Sequence, residues 1–246
     1  MWLRRKLGDQ HVCANMGVPS YKNKQYKLMA VPIHDDAIIT KALLVQDGRG
    51  DDVLWTGSSS GHIRRWSTHR GYSHLSLKSS SPEHRCWIND MILSYSPLET
   101  HSDTTQQHPA VVFTGSDDRS ILIWDSCTGN LLHRINTRGF CTIQSLACSD
   151  RHLFAGTSTG VVQVFSLDCV CERVDPHLCT ERFPDEPGRY CLQTELRHGG
   201  GTISSLEVSR GCLFTASRDG TVAVFNLAQP GCLHFEKVAV LRGVRQ

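Results

Sequence analysis

Cys169, Cys171, His177 and Cys179 stand close together in a chain of 246 residues, with Cys191 a little beyond. Thiolate sulfur and imidazole nitrogen are ordinary zinc ligands, so the set could hold that ion. The spacing Cys-x-Cys-x5-His-x-Cys matches no zinc-finger pattern. Pro176, Pro184 and Pro187 predict an irregular loop around it, which a metal could order. The plainer reading is a loop carrying free thiols, so no metal and no cofactor are expected. Zinc binding and redox pairing remain as alternatives for these residues.

A second candidate is Gly57-Ser58-Ser59-Ser60-Gly61, which fits the Gly-x-Ser-x-Gly pattern of serine hydrolases. That motif requires a strand running into a helix, so that the serine stands exposed on a strained elbow. Apolar alternation on both sides predicts strands here, and three other places in the chain carry equivalent turns. Gly199-Gly200-Gly201 lacks the lysine and the strand–helix setting of a phosphate loop. No catalytic residues are therefore assigned.

The elements that would carry such residues repeat four times. Residues 53–67 (VLWTGSSSGHIRRWS), 111–125 (VVFTGSDDRSILIWD), 152–166 (HLFAGTSTGVVQVFS) and 212–226 (CLFTASRDGTVAVFN) align without gaps. Each reads as strand, polar turn, strand, with alternating apolar residues bounded by Ser, Gly and Asp. Another strand precedes each hairpin. Its apolar residues are Ile39, Ala42 and Leu44; Ile88, Met91 and Leu93; Ile143, Leu146 and Cys148; Ile203, Leu206 and Val208. The offsets are +3 and +5 every time. A weaker strand follows each hairpin, near 74–79, 130–136, 191–196 and 237–242.

The unit is therefore four antiparallel strands, a to d. Gly57, Gly115, Gly156 and Ala216 are equivalent positions, spaced by 58, 41 and 60 residues. The surplus falls in two insertions, 96–110 and 168–190, and leaves a period of about 40–45 residues.

Trp124-Asp125 closes the second hairpin; Trp66-Ser67, Phe165-Ser166 and Phe225-Asn226 are degenerate versions of the same pair. Gly115-Ser116-Asp117-Asp118 and Ala216-Ser217-Arg218-Asp219 fill the b–c turns. On these residues the chain from about 26 to 243 resembles the WD-repeat family. The resemblance implies an all-β fold, a β-propeller of four-stranded antiparallel blades. The blades are expected at about 34–79, 84–136, 141–196 and 201–242, after a basic arm at 1–25.

It also implies a hydrogen-bond network within a blade, linking a His before strand a, a Ser or Thr on strand b, an Asp in the b–c turn and a Trp on strand c. Buried polar groups must be paired, so the members should come and go together. The second blade has the full set: His84, Thr114 or Ser116, Asp118 and Trp124. The fourth has His198 and Asp219 with Phe225 in place of Trp. The first keeps His34 and Trp66, with Ser60 at the Asp position. The third has Gly139, Thr159 and Phe165, losing the set together. These histidines are read as structural.

Four blades form the short end of the range in which propellers close. A strand d-like segment near 26–31 has no a, b and c partners at the far end of the chain. The expectation is an incomplete, truncated ring. Residues 1–25 are too few for another blade, and closure by pairing with another copy through open edges is the remaining alternative.

In an antiparallel meander the b–c turns and d–a links share one end. Ser59, Asp117, Ser158 and Arg218 occupy equivalent turn positions there. Arg85, Trp87, Arg138, Phe140 and Arg197 lie in or beside the links. In WD-repeat proteins this rim commonly takes protein or peptide partners, and aromatic residues with arginine are frequent interface anchors.

Composition narrows the rest. Hydrophobic residues make up 39% and charged residues 20%, as in a globular protein. Net charge is only +2, although residues 1–30 carry six Lys or Arg against Asp9, and this argues against a nucleic-acid partner. No stretch is apolar enough for a membrane span or a secretory signal. Eleven cysteines are a poor disulfide framework. The expectation is an intracellular protein, cytoplasmic before nuclear, that works as a non-enzymatic scaffold with no small-molecule substrate. An adaptor in ubiquitylation or signalling complexes is the second reading, and a zinc-dependent or enzymatic role the remote one.

Overall fold

The computed structural model describes residues 37–46, 52–67, 73–75, 83–95, 110–167, 192–227 and 235–243. All belong to one compact unit that begins at Asp36. His34, the basic arm, most of insertion 96–110 and the whole of 168–190, with Cys169, Cys171, His177 and Cys179, lie outside the described residues.

Among the described residues sixteen strands form four separate antiparallel sheets, each ordered as in the chain. The first blade holds β1 (Ile39–Gln46), β2 (Asp52–Ser58), β3 (Ile63–Ser67) and β4 (Ser73–Leu75). The second holds β5 (Ile88–Tyr95), β6 (Ala110–Ser116), β7 (Ser120–Asp125) and β8 (Leu131–Asn136). The third holds β9 (Ile143–Cys148), β10 (His152–Thr157), β11 (Val161–Ser166) and β12 (Leu192–Arg197). The fourth holds β13 (Ile203–Ser209), β14 (Cys212–Ser217), β15 (Thr221–Asn226) and β16 (Glu236–Arg242). The fold is an open propeller of blades.

The +3 offset of the first strands has a physical cause. Ile88 pairs with Ser116 and Asp90 with Gly115, so Asn89 is an extra residue on β5, a β-bulge. The same irregularity sits between Ile39 and Lys41 and between Ile203 and Ser205; on β9, Gln144 is skipped in the same way. Beyond the bulge ordinary alternation resumes, which gives the +5.

An apolar layer fills each gap between successive blades. Val53, Trp55 and Ile63 of the first blade meet Ile88, Met91, Val112 and Trp124 of the second. Trp55 and Trp124 pack with ring centroids 6.4 Å apart and planes tilted by 57°. Phe113, Ile121 and Ile123 then meet Ile143, Leu146, Leu153 and Phe165. Phe154, Val162 and Val164 meet Ile203, Leu206, Leu213 and Phe225. Burial of each large side chain stabilises by about 1.5–3 kcal/mol.

One glycine column sets the spacing. A Cβ on Gly57 would lie 2.9 Å from Ile88 Cγ2, on Gly115 2.5 Å from Ile143 Cγ2, and on Gly156 2.6 Å from Ile203 Cγ2. Each blade thus offers a bare backbone to the first isoleucine of the next, and blade four has Ala216 at this position.

The outer face of the first blade differs from that of the second. Ala42 and Leu44 are exposed, Leu44 by 58%, whereas their counterparts Met91 and Leu93 are buried and half-buried. They point to the side on which a preceding blade would lie, and none is present among the described residues. At the other end Phe214 is 36% exposed, while Trp55, Phe113 and Phe154 in the same column are fully buried.

Polar ties cross the gaps. Arg65 occupies the column filled by Ile123, Val164 and Val224 and is buried. Its Nη2 donates to Ser126 O at 3.1 Å and Cys127 O at 2.7 Å, and its guanidinium lies 5.0 Å from the Trp55 ring centroid. Asp90 accepts from the Leu146 amide at 2.7 Å and pairs with Lys41 at 3.1 Å, joining three blades near the axis.

Candidate partner-binding face

The b–c turns and d–a links are stitched together at one end. Backbone amides of Ser59, Asp117, Ser158 and Arg218 donate to the carbonyls of Ile38, Trp87, Thr142 and Thr202 at 2.8–3.0 Å. Thr137, His198 and Gly243, at the ends of the outer strands, donate to Arg119, Gly160 and Gly220. The face is therefore a set of short loops fixed by main-chain bonds.

Beneath it lies the second-blade network. Asp118 is ionised, so His84 Nδ1–H donates to its Oδ2 at 3.0 Å. His84 Nε2 lies 2.9 Å from the Thr114 hydroxyl oxygen, which also accepts from Trp124 Nε1–H at 3.2 Å. Asp118 also accepts from the Arg85 amide and from the amide and hydroxyl of Ser120. Ser116 stands apart: its hydroxyl donates to Cys86 O and accepts from the Asp118 amide. Burial alone would push the Asp118 carboxyl up. The hydrogen bonds and charge interaction from His84, with those from Ser120 and Arg85, hold it well below the usual carboxylate range.

The pair resembles an acid–base dyad, yet the side chains are 0% and 6% exposed, so a substrate has no access to either group.

In the fourth blade His198 Nδ1 lies 2.5 Å from Thr215 Oγ1 and Nε2 2.7 Å from Thr221 Oγ1. Asp219 stands 3.7 Å off and takes the Thr221 amide and hydroxyl, so a threonine mediates the contact. Burial pushes the His198 imidazole down; Asp219 opposes that, and Lys237 adds to it. Phe225 has no N–H to offer Thr215, whose hydroxyl turns to Ala223 O. In the first blade Trp66 Nε1 donates to Thr56 Oγ1 at 3.1 Å, and Ser60 bonds His62. Ser120, Thr221 and Thr56 were missed from sequence, although hydroxyl residues at equivalent positions of several repeats mark them.

The rim residues divide into two kinds. Ser59, Asp117 and Ser158 are half-buried and belong to the framework. Ser59 Oγ accepts from the Ile38 amide, and Ser158 Oγ from the Thr142 amide. Asp117 Oδ1 accepts from Asn89 Nδ2 at 2.7 Å and Gln144 Nε2 at 2.9 Å. Asn89 and Gln144 are the bulge residues, aimed by the bulge at this carboxylate. Arg85, Arg138, Arg197 and Arg218 are exposed. So are Trp87, by 49%, and Phe140, by 93%.

Arg119, which the sequence reading did not single out, lies among them. Its φ is +68°, and the matching positions in the other blades are Gly61, Gly160 and Gly220, with φ of +86°, +78° and +83°. Its guanidinium carbon stands 5.4 Å from the Phe140 ring centroid.

No family model and no curated protein matches the chain in sequence. Solved structures do resemble it. Superposition on the crystal structure of Chaetomium thermophilum Raptor covers 86% of this chain and 17% of that one, at 18% identity and a TM-score of 0.57. For the structure of U3-55K the shares are 78% and 50%, at 19% identity and 0.54. For the computationally designed Ika8 protein they are 80% and 48%, at 18% identity and 0.52. The likeness is one of fold. The chain spans half or less of each of these proteins. No helix among the described residues is long and apolar enough to cross a membrane.

Proposed function

We propose that the chain is a WD-repeat propeller acting inside the cell as a non-enzymatic platform for protein or peptide partners. One observation carries the reading: Trp87 and Phe140, 49% and 93% exposed, stand on loops that main-chain hydrogen bonds hold fixed. A large apolar side chain left in water at a rigid position is what an interface anchor requires, since little ordering entropy remains to be lost on binding. The rim arginines add charged contacts of the kind enriched at such surfaces. The buried state of His84 and Asp118 supports a structural role for this acid–imidazole pair beneath the face.

The test is capture from cell extract with the full chain and with a Trp87→Ala, Phe140→Ala double variant. Both side chains are solvent-exposed, so the variant should melt as the parent does while losing its specific partners. A variant of unchanged stability that captured the same proteins would end this reading.

A further inference from the structure

We propose that this face binds an acidic peptide segment, centred on Arg119 and Phe140. The proposal rests on the reading of the face as a partner surface and names the partner's chemistry.

The first argument is conformational. A left-handed backbone is costly for an L side chain, and the other three blades make this turn with glycine. The turn itself does not need the arginine. Its visible effect is to hold a guanidinium on the ring of Phe140, which folding leaves 93% in water. A cation on an open aromatic surface offers a carboxylate a planar fork of donors and offers its apolar neighbour a ring.

The second argument is charge. Arg85, Arg138, Arg197, Arg218 and Arg242 are exposed at the same end, and none has a carboxylate partner among the described residues. The carboxylates present are already engaged: Glu83 accepts the Ile63 amide, Asp117 accepts Asn89 and Gln144, and Asp118 and Asp219 close their own turns. Cations face outward while anions are tied down. The half-buried carboxylate of Asp117 also interrupts the positive surface. A phosphate chain, charged at every residue, would meet it unfavourably; a peptide with spaced acids would not.

The experiment uses fluorescence anisotropy on the full chain. The probes are a labelled dodecapeptide of repeating Glu-Leu-Gly, its Lys-Leu-Gly counterpart and a dodecamer of deoxythymidine. The Glu probe should bind, the Lys probe should not, and the oligonucleotide should bind more weakly than the Glu probe. Arg119→Gly should weaken the Glu probe roughly tenfold, as loss of an anchor does, without lowering the melting temperature. Arg210→Gly is the control: Arg210 also has a positive φ, +50°, and is exposed, but it lies at the a–b turn of the opposite end. It should leave binding unchanged. Equal binding of both peptides, tighter binding of the oligonucleotide, or equal effects of the two glycine variants would overturn the proposal. If no acidic probe binds but Trp87→Ala, Phe140→Ala still loses captured partners, the acidic chemistry is wrong and the partner surface stands. If capture is also unchanged, both fall.

Discussion

His84 Nδ1 lies 3.0 Å from Asp118 Oδ2, and through Thr114 the pair reaches the indole of Trp124, so one chain of polar contacts runs from the loop surface to the apolar layer between blades. Removal of one member strands the rest. Asp118→Ala leaves the His84 ring N–H and the amides of Arg85 and Ser120 without their acceptor. It should cost roughly 1–3 kcal/mol, read as a lower urea midpoint. An unchanged midpoint would show that the network contributes nothing to stability.

The same carboxyl makes stability depend on acid. Its folded pKa is depressed, so the unfolded chain binds the proton first, near pH ~3.9. The contribution is fully present above that pH and is lost as pH falls below it toward the folded value. Melting temperatures measured from pH 7 down to about 2 should fall more steeply for the parent than for Asp118→Asn below about pH 4. Parallel curves would contradict the assignment.

Gly115→Ala should destabilise by about 1–3 kcal/mol, because its methyl would lie 2.5 Å from Ile143 Cγ2 and 3.3 Å from Leu146 Cδ1 in a layer with no slack. A second change, Ile143→Ala, should recover part of the loss although it is itself destabilising, a coupling that a double-mutant cycle measures. Additive losses would mean that the two residues do not bear on one another.

Arg65 ties blade one to the c–d turn of blade two. Arg65→Met fills a similar volume but leaves the carbonyls of Ser126 and Cys127 without their donor, a loss of about 2 kcal/mol in chemical denaturation. Arg65→Lys should not restore it, since a single ammonium lacks the planar fork that also lies against Trp55. Full rescue by lysine would show that charge alone matters.

The hairpins were legible because period-two alternation and polar turns repeat four times, and the +3 step of the inner strands was the imprint of a bulge. The partner of each face was not legible. An inner blade is buried on both sides, as β6 is at every residue, so alternation separates two faces without saying what covers them. Hence nothing in the alternation separates Ala42, which is exposed, from its counterpart Met91, which is buried. Arg65 and Arg119 were overlooked for a related reason. Taken singly each is an unremarked arginine; only comparison down a column, against Ile123 and Val164 or against Gly61, Gly160 and Gly220, marks it as a departure. The bulge residues Asn89 and Gln144 could have been found in the same way, as polar residues following the first isoleucine of a repeat.

The glycine column makes the array directional and, within limits, modular. A duplicate of the second or third blade, spliced in ahead of the fourth, would bring an isoleucine to a waiting glycine and present a glycine to Ile203 in turn. The same duplicate added after the fourth blade would drive its isoleucine against the methyl of Ala216. Extension in that direction calls for a smaller leading side chain or a wider gap, so a single methyl group decides where this sequence can be lengthened by copying itself.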